Sequence, residues 1–273
     1  MKSKYHCFCL SIIFCFIFLS SLHAQYATGP RFKALIYYTK NAEGDHVAFA
    51  EQGVAFFNKL SSAGSFILDV TTDLSDYPYE KLKGYDIVIM FNSSPAASEQ
   101  RDAFRKYMEN GGGWIGFHGA AYNSKNTQWP WFVDFLGGGV FYRNSWPAQP
   151  AKLIVDNLNH PVTKNLPASF IAPANEWYQW NPSPRENKNV DVLVSLSPDN
   201  YPIGIKDVVD SGDYPVVWTN RNYRMIYLNM GHGDEIFSDA TQKLLIINAF
   251  RWVLSMDKKG DPFKVQRNLT VSE

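Results

Sequence analysis

Residues 86–120 read DIVIMFNSSPAASEQRDAFRKYMENGGGWIGFHGA. The opening DIVIMF, residues 86–91, holds an unbroken apolar run, the mark of a strand buried on both faces of a parallel sheet. Ser98 is set to cap a helix over residues 99–108, with Arg101 at the capping-box position. Gly111-Gly112-Gly113 ends that helix, and residues 114–117 form the next strand. Strand, helix and strand at this spacing make a βαβ unit, which predicts a parallel sheet with right-handed crossovers.

The same alternation extends upstream. Residues 33–38 (KALIYY) read as a first buried strand. Residues 47–60 place Val47, Ala50, Val54 and Phe57 at helical spacing, and Ala63-Gly64 stops the helix. Residues 66–70 form strand two. Downstream, residues 151–155, 190–196, 216–219 and 225–229 read as strands, and residues 240–254 as a closing helix. Residues 123–150 and 158–188 are rich in Pro, Asn and Trp and read as long loops, the kind that carry a site or a lid. With no internal repeat and no low-complexity linker, residues 25–257 are expected to form one domain, followed by a tail over residues 258–273.

Composition narrows the function. The 273 residues carry 26 basic and 26 acidic side chains, a balance that disfavours a general nucleic-acid binder. Apolar content of 45% is enough for a real core. Lys2 and Lys4, the apolar run of residues 10–19 and the small Ala24 have the layout of a signal peptide over residues 1–24. That run is shorter than the ~20 residues of a spanning helix. Cys15 lies inside the run, where it cannot serve as a lipoprotein cysteine. An exported protein without stable membrane insertion is expected, periplasmic or secreted. Cleavage after Ala24 would remove Cys7, Cys9 and Cys15, leaving a thiol-free chain with 24 basic against 26 acidic residues. Disulfide, thiolate-metal and cysteine-nucleophile chemistry would all go with them.

Four histidines remain: His46, His118, His160 and His232. His46, His118 and His232 each follow the carboxyl end of an expected strand, where an open α/β sheet binds its ligands. His118 sits in Gly116-Phe117-His118-Gly119-Ala120, the glycine-flanked strand-to-helix turn of a nucleophile elbow. Ser or Cys would support acyl-enzyme chemistry there; His instead offers acid–base work or a metal ligand. The glycines also fit a plain close-packing role. Glu176 lies among aromatics in Asn175-Glu176-Trp177-Tyr178-Gln179-Trp180. Burial there would raise its pKa and suit a general acid, while exposure would leave a solvated loop carboxylate. Asp234 and Glu235 can orient His232, or complete a metal set with His46, His118 and His232 for a divalent ion such as Zn. Trp129, Trp131, Trp146, Trp177 and Trp180 fall in the expected loops, where rings suit the C–H faces of sugars; loop packing is the other reading. His160-Pro161 reads as a turn that starts a new segment.

Taken together, Glu109-Asn110-Gly111-Gly112-Gly113-Trp114-Ile115-Gly116-Phe117-His118-Gly119-Ala120, Phe135-Leu136-Gly137-Gly138, His160-Pro161-Val162-Thr163, Glu176-Trp177-Tyr178, Val217-Trp218-Thr219 and Gly231-His232 resemble the ThuA-like (trehalose utilisation) family, over about residues 32–254. Asn175 stands where that family often has an acid, and Tyr142-Arg143-Asn144-Ser145 lacks a histidine often found there. The resemblance implies a flavodoxin-like, doubly wound, mostly parallel sheet similar to class I glutamine amidotransferases. His118 replaces the amidotransferase cysteine, which implies no glutaminase activity.

The resemblance also implies use of trehalose-type disaccharides or keto-sugars, a small-molecule carbohydrate partner. In an enzyme of that kind His118, Glu176 and His232 would be catalytic, and His46, Trp146, Trp177, Tyr178 and Asp234 would bind substrate. The alternative is a non-catalytic sugar-binding module. A partner-binding protein would show a large apolar surface stripe, and none is visible in the sequence.

Overall fold

A computed structural model describes residues 32–62, 66–200 and 212–255. The expected leader and tail lie outside the described residues. The elements are β1 (Phe32–Tyr37), α1 (Gly44–Ser62), β2 (Phe66–Thr71), α2 (Tyr79–Leu82), β3 (Ile87–Met90), α3 (Ser98–Glu109), β4 (Gly113–Phe117), α4 (Pro130–Phe135), β5 (Phe141–Asn144), β6 (Gln149–Val155), β7 (Ser169–Asn175), β8 (Tyr178–Trp180), β9 (Val190–Leu196), β10 (Pro215–Asn220), β11 (Arg224–Leu228) and α5 (Ala240–Ser255). No helix among the described residues is long and apolar enough to cross a membrane.

Nine strands form one sheet in the order β2-β1-β3-β4-β11-β10-β9-β6-β7. The first five run parallel. From β11 outward every pairing is antiparallel. The sheet is therefore mixed, where a mostly parallel one was expected. The parallel half follows from the alternation in the sequence. Along β1, Ala34 and Ile36 join one core while Leu35 and Tyr37 join the other; along β3, Ile87 and Ile89 divide from Val88 and Met90 in the same way. Both faces are buried, which is why these strands read as continuous apolar runs. Phe49 and Phe57 of α1 and Leu245, Ile246 and Phe250 of α5 cover the first face. Phe104 and Tyr107 of α3 and Phe132 and Phe135 of α4 cover the second.

Three expectations change. The cap of α3 is Ala97, not Ser98; Gln100 Oε1 accepts from the N–H groups of Ala96 and Ala97 at 3.2 Å each. The two long loops contain α4 and three strands: β5 and β8 pair as a separate two-stranded ribbon, and β7 pairs with the expected strand β6 at the edge of the sheet. β7 escapes sequence reading because it is an edge strand that carries Pro173, which only an edge tolerates. Finally, Trp129, Trp177 and Trp180 are buried, and Trp131 is partly buried against the second core. Of the five loop tryptophans only Trp146 is exposed, at 40%. The apolar demand of a core that reaches into these segments decides the matter.

Candidate functional site

Four parallel strands, β1, β3, β4 and β11, deliver their carboxyl ends to one edge of the sheet. His118 leaves β4 with φ +46°, a left-handed conformation rare for a residue with a Cβ, and opens a short 3-10 turn to Ala121. This is the elbow the sequence predicted. Two glycines permit it. A Cβ on Gly119 would lie 2.7 Å from the Asn92 carbonyl oxygen, and one on Gly231 would lie 2.0 Å from the His118 Cβ. The Tyr227 hydroxyl donates to the His118 carbonyl at 3.1 Å and so holds the strained turn from below.

The His118 ring is fully buried. Its Nδ1 lies 2.7 Å from the Asn229 carbonyl oxygen, an obligate acceptor, so Nδ1 carries the proton. Nε2 is left with its lone pair. His46, in the first turn of α1, brings its ring 4.8 Å from that of His118 and 5.1 Å from that of His232. The Nε2 atoms of all three are buried and have no hydrogen-bond partner. Glu176 Oε2 approaches His118 Nε2 at 3.4 Å and His46 Nε2 at 3.7 Å. Its other oxygen, Oε1, accepts from Asn144 Nδ2 at 2.8 Å.

Burial pushes His118 down to about 4, against the pull of Glu176, so the imidazole is neutral at neutral pH. Burial pushes Glu176 up; the downward pull that sets it at about 2 needs an imidazole N–H donor, which His46 can supply and a His118 protonated on Nδ1 cannot. The general acid expected of Glu176 is thus replaced by an ionised carboxylate, because the aromatic neighbours come together with histidines. His232 is also lowered, chiefly by burial.

The ligand atoms fall into two overlapping triads, His46/His118/Glu176 and Glu43/His46/His232, the atoms of each lying within 4.8 Å of one another. The expected trio of His46, His118 and His232 does gather, but it is divided between the triads by Glu176 and Glu43. Asp234 is exposed, and Asp45 takes the place expected for it, with Oδ2 3.5 Å from His232 Nδ1. Tyr178 lays its ring 4.2 Å from His118. Trp146 meets His232 edge-on at 6.0 Å. Trp177, expected to bind substrate, is fully buried and donates its Nε1–H to the Gln149 carbonyl at 3.0 Å, so it offers no face to a ligand. His160 caps the turn Pro161–Thr163 through Nδ1, away from this cluster.

Reading histidines alone misses the asparagines. Asn92 follows β3 and ties the His46 loop to the sheet: it accepts from Thr39 N–H and donates to the Thr39 carbonyl, both at 2.9 Å. Asn144 ends β5, Asn175 ends β7 and Asn229 follows β11. The signal was available for Asn92 and Asn229, which stand at or just after the ends of expected strands as the histidines do; Asn144 and Asn175 end strands that lie within the stretches read as loops.

The ThuA family model, described as trehalose utilisation, matches residues 33–253. A crystal structure of a ThuA-like protein from Bacteroides uniformis is 69% identical, with a TM-score of 0.85 over 89% of this chain and 99% of that one. A ThuA-like protein from Parabacteroides merdae, 21% identical, aligns over 82% of this chain and 90% of its own with a TM-score of 0.58. The glutaminase domain of Trypanosoma brucei CTPS shares the fold at 12% identity, with a TM-score of 0.51 over 82% and 94% of the two chains. Comparison with curated proteins gives no match. The histidines at the strand ends and the sequence match over nearly the whole folded region agree: the chain belongs to the ThuA (trehalose utilisation) family.

Proposed function

We propose that this protein is an exported enzyme of carbohydrate utilisation, acting on a trehalose-type disaccharide or keto-sugar through His118, Glu176 and His232, with the help of a divalent metal such as Zn. One observation carries the reading: three buried imidazole nitrogens have no hydrogen-bond partner, and two of them, on His46 and His118, face the Glu176 carboxylate. A neutral His118 turns a lone pair toward a carboxylate oxygen 3.4 Å away. Two acceptors at that distance call for a positive species beside them, and nitrogen and carboxylate donors fit a divalent ion. His46, His118 and Glu176 would hold it. Such an ion supplies Lewis acidity toward a substrate oxygen.

The remaining steps belong to the protein's own groups. Asn144 fixes Glu176 Oε1, so that Oε2 faces the histidines. Asp45 stands behind His232 Nδ1, the arrangement that orients an imidazole for taking and returning a proton at Nε2. Tyr178, whose hydroxyl burial keeps protonated far above neutrality, walls the site and can donate to a sugar oxygen. The strand order β2-β1-β3-β4-β11 supports the flavodoxin-like, doubly wound reading of the parallel half. Histidine at the elbow supports the absence of glutaminase activity. Export rests on the leader-like N-terminus.

The test combines metal analysis with turnover. Protein purified without chelator should hold about one metal per chain, lost in Glu176→Ala. His118→Ala should lower turnover of the disaccharide or keto-sugar by about 100-fold or more while sugar affinity stays within a few-fold. Sugar binding without any turnover in the wild type would overturn the enzyme reading in favour of a binding module.

A further inference from the structure

Glu43 and Asp45 converge on His232. Asp45 Oδ2 stands 3.5 Å from His232 Nδ1, and a Glu43 carboxylate oxygen lies within 4.8 Å of ring nitrogens of His46 and His232. Both acids are exposed, the Asp45 side chain by 65%. Among the described residues no lysine or arginine pairs with either of them. The ion inferred above would be held on the other side of His46, by His118 and Glu176. The amino end of α1, where both acids lie, supplies only about half a positive charge, too little for two carboxylates.

The same place holds an unsatisfied nitrogen. His232 is 4% exposed, and its Nδ1 is turned to Asp45, so Nε2 keeps the lone pair. That atom is buried and has no hydrogen-bond partner. A buried acceptor without a donor calls for one from a ligand. Trp146 stands 6.0 Å from the His232 ring and is 40% exposed. The Gly233 N–H donates to the Asp45 carbonyl at 3.2 Å, which ties the His232 turn to the start of α1.

Two carboxylates, an acceptor nitrogen and an indole ring around one histidine are the parts that hold an ammonium group. The carboxylates take its charge, the nitrogen takes one N–H, and the indole offers its π system. A neutral hydroxyl would answer the nitrogen but not the charge, and an anion would be repelled. The exposed residues lie on the His232 side, so such a group reaches its partners without passing the buried His118.

We propose that the His232 side of the site receives a protonated amine, so that the sugar substrate is an amino sugar with its ammonium group between Glu43, Asp45 and Trp146. The inference rests on the carbohydrate reading above and adds the charge of the substrate and the role of Glu43.

Titration calorimetry of the full chain tests it, at about pH 6, where the amine is protonated. The panel is glucose, N-acetylglucosamine, glucosamine, trehalose and trehalosamine, in which only glucosamine and trehalosamine carry a charge. At least one of these two should bind about tenfold more tightly than its neutral parent, an advantage that shrinks in about 1 M salt. Glu43→Gln and Asp45→Asn should each weaken that amino sugar about threefold. Glu43→Gln should leave the neutral parent's affinity and the metal content at wild-type values. If neither amino sugar binds more tightly than its parent, the proposal is overturned and the carbohydrate reading stands. An advantage that survives both substitutions together, or metal lost from Glu43→Gln, would overturn it equally, the latter by making Glu43 an ion ligand. A wild-type chain that binds no sugar of the panel would overturn both readings.

Discussion

Asn175 serves four groups with one amide. Its Oδ1 accepts from the N–H groups of Gly231 and His232, both at 3.0 Å; its Nδ2 donates to the carbonyls of Glu176 at 2.7 Å and Asn229 at 3.4 Å. It thereby joins the segments that carry Glu176, His232 and the acceptor of His118. A carboxylate would keep the accepting half and turn its second oxygen against two carbonyls in the donating half. Asn175→Asp should therefore cost about 1–3 kcal/mol in denaturant unfolding and weaken metal binding, although it adds negative charge near the site. Stronger metal binding in this variant would show that charge, rather than the positions of His232 and Glu176, limits affinity. The sequence marked Asn175 only as a departure from the family pattern. Its role needs partners 54 to 57 residues away, which no local pattern encodes.

At the scale of elements, the site depends on how closely two strand-end turns approach. The turn after β4 carries His118 and the turn after β11 carries Gly231 and His232; β4 and β11 are paired neighbours in register, Phe117 opposite Leu228. Only hydrogen fits where the Gly231 side chain points at His118. Gly231→Ala should push the turns apart, lower stability by about 2 kcal/mol or more and abolish metal uptake. Gly44→Ala, at a position with open space around an added Cβ, is the control and should stay within about 0.5 kcal/mol of wild type. Thermal unfolding and metal analysis of both variants decide it; a Gly231→Ala protein with wild-type values would mean the turns are not in contact in solution. The β5–β8 ribbon is the other element that makes the site, because it suspends Asn144 and Tyr178 over His118. Its strands are three and four residues long and carry no sustained alternation, so they read as loop.

For the whole molecule, the buried site makes stability depend on pH. His118 sits at about 4 in the fold and at about 6.5 in the unfolded chain, so as pH falls between these values the unfolded chain takes up a proton that the native state refuses. The contribution is complete above 6.5 and is lost downward, on the order of 3 kcal/mol in all. Glu176, held at about 2 against an ordinary 4.5, acts in the same direction in the window below. Unfolding free energy should fall between pH 6.5 and 4 in the wild type and fall less in His118→Asn, a residue that tolerates the left-handed turn. Equal slopes for the two proteins would mean that His118 is solvated and not buried.

The sequence by itself determined the parallel half of the sheet, the helices on its faces and the histidines at its carboxyl edge. Each of these is a periodicity or a strand-end position, readable within about fifteen residues. Only the tertiary structure decided that the second half runs antiparallel, that four of five loop tryptophans are buried or half-buried, and that Glu176 is an ionised partner of the histidines. Those outcomes depend on which distant segments meet at the same place, and burial, pairing and pKa are all properties of that meeting.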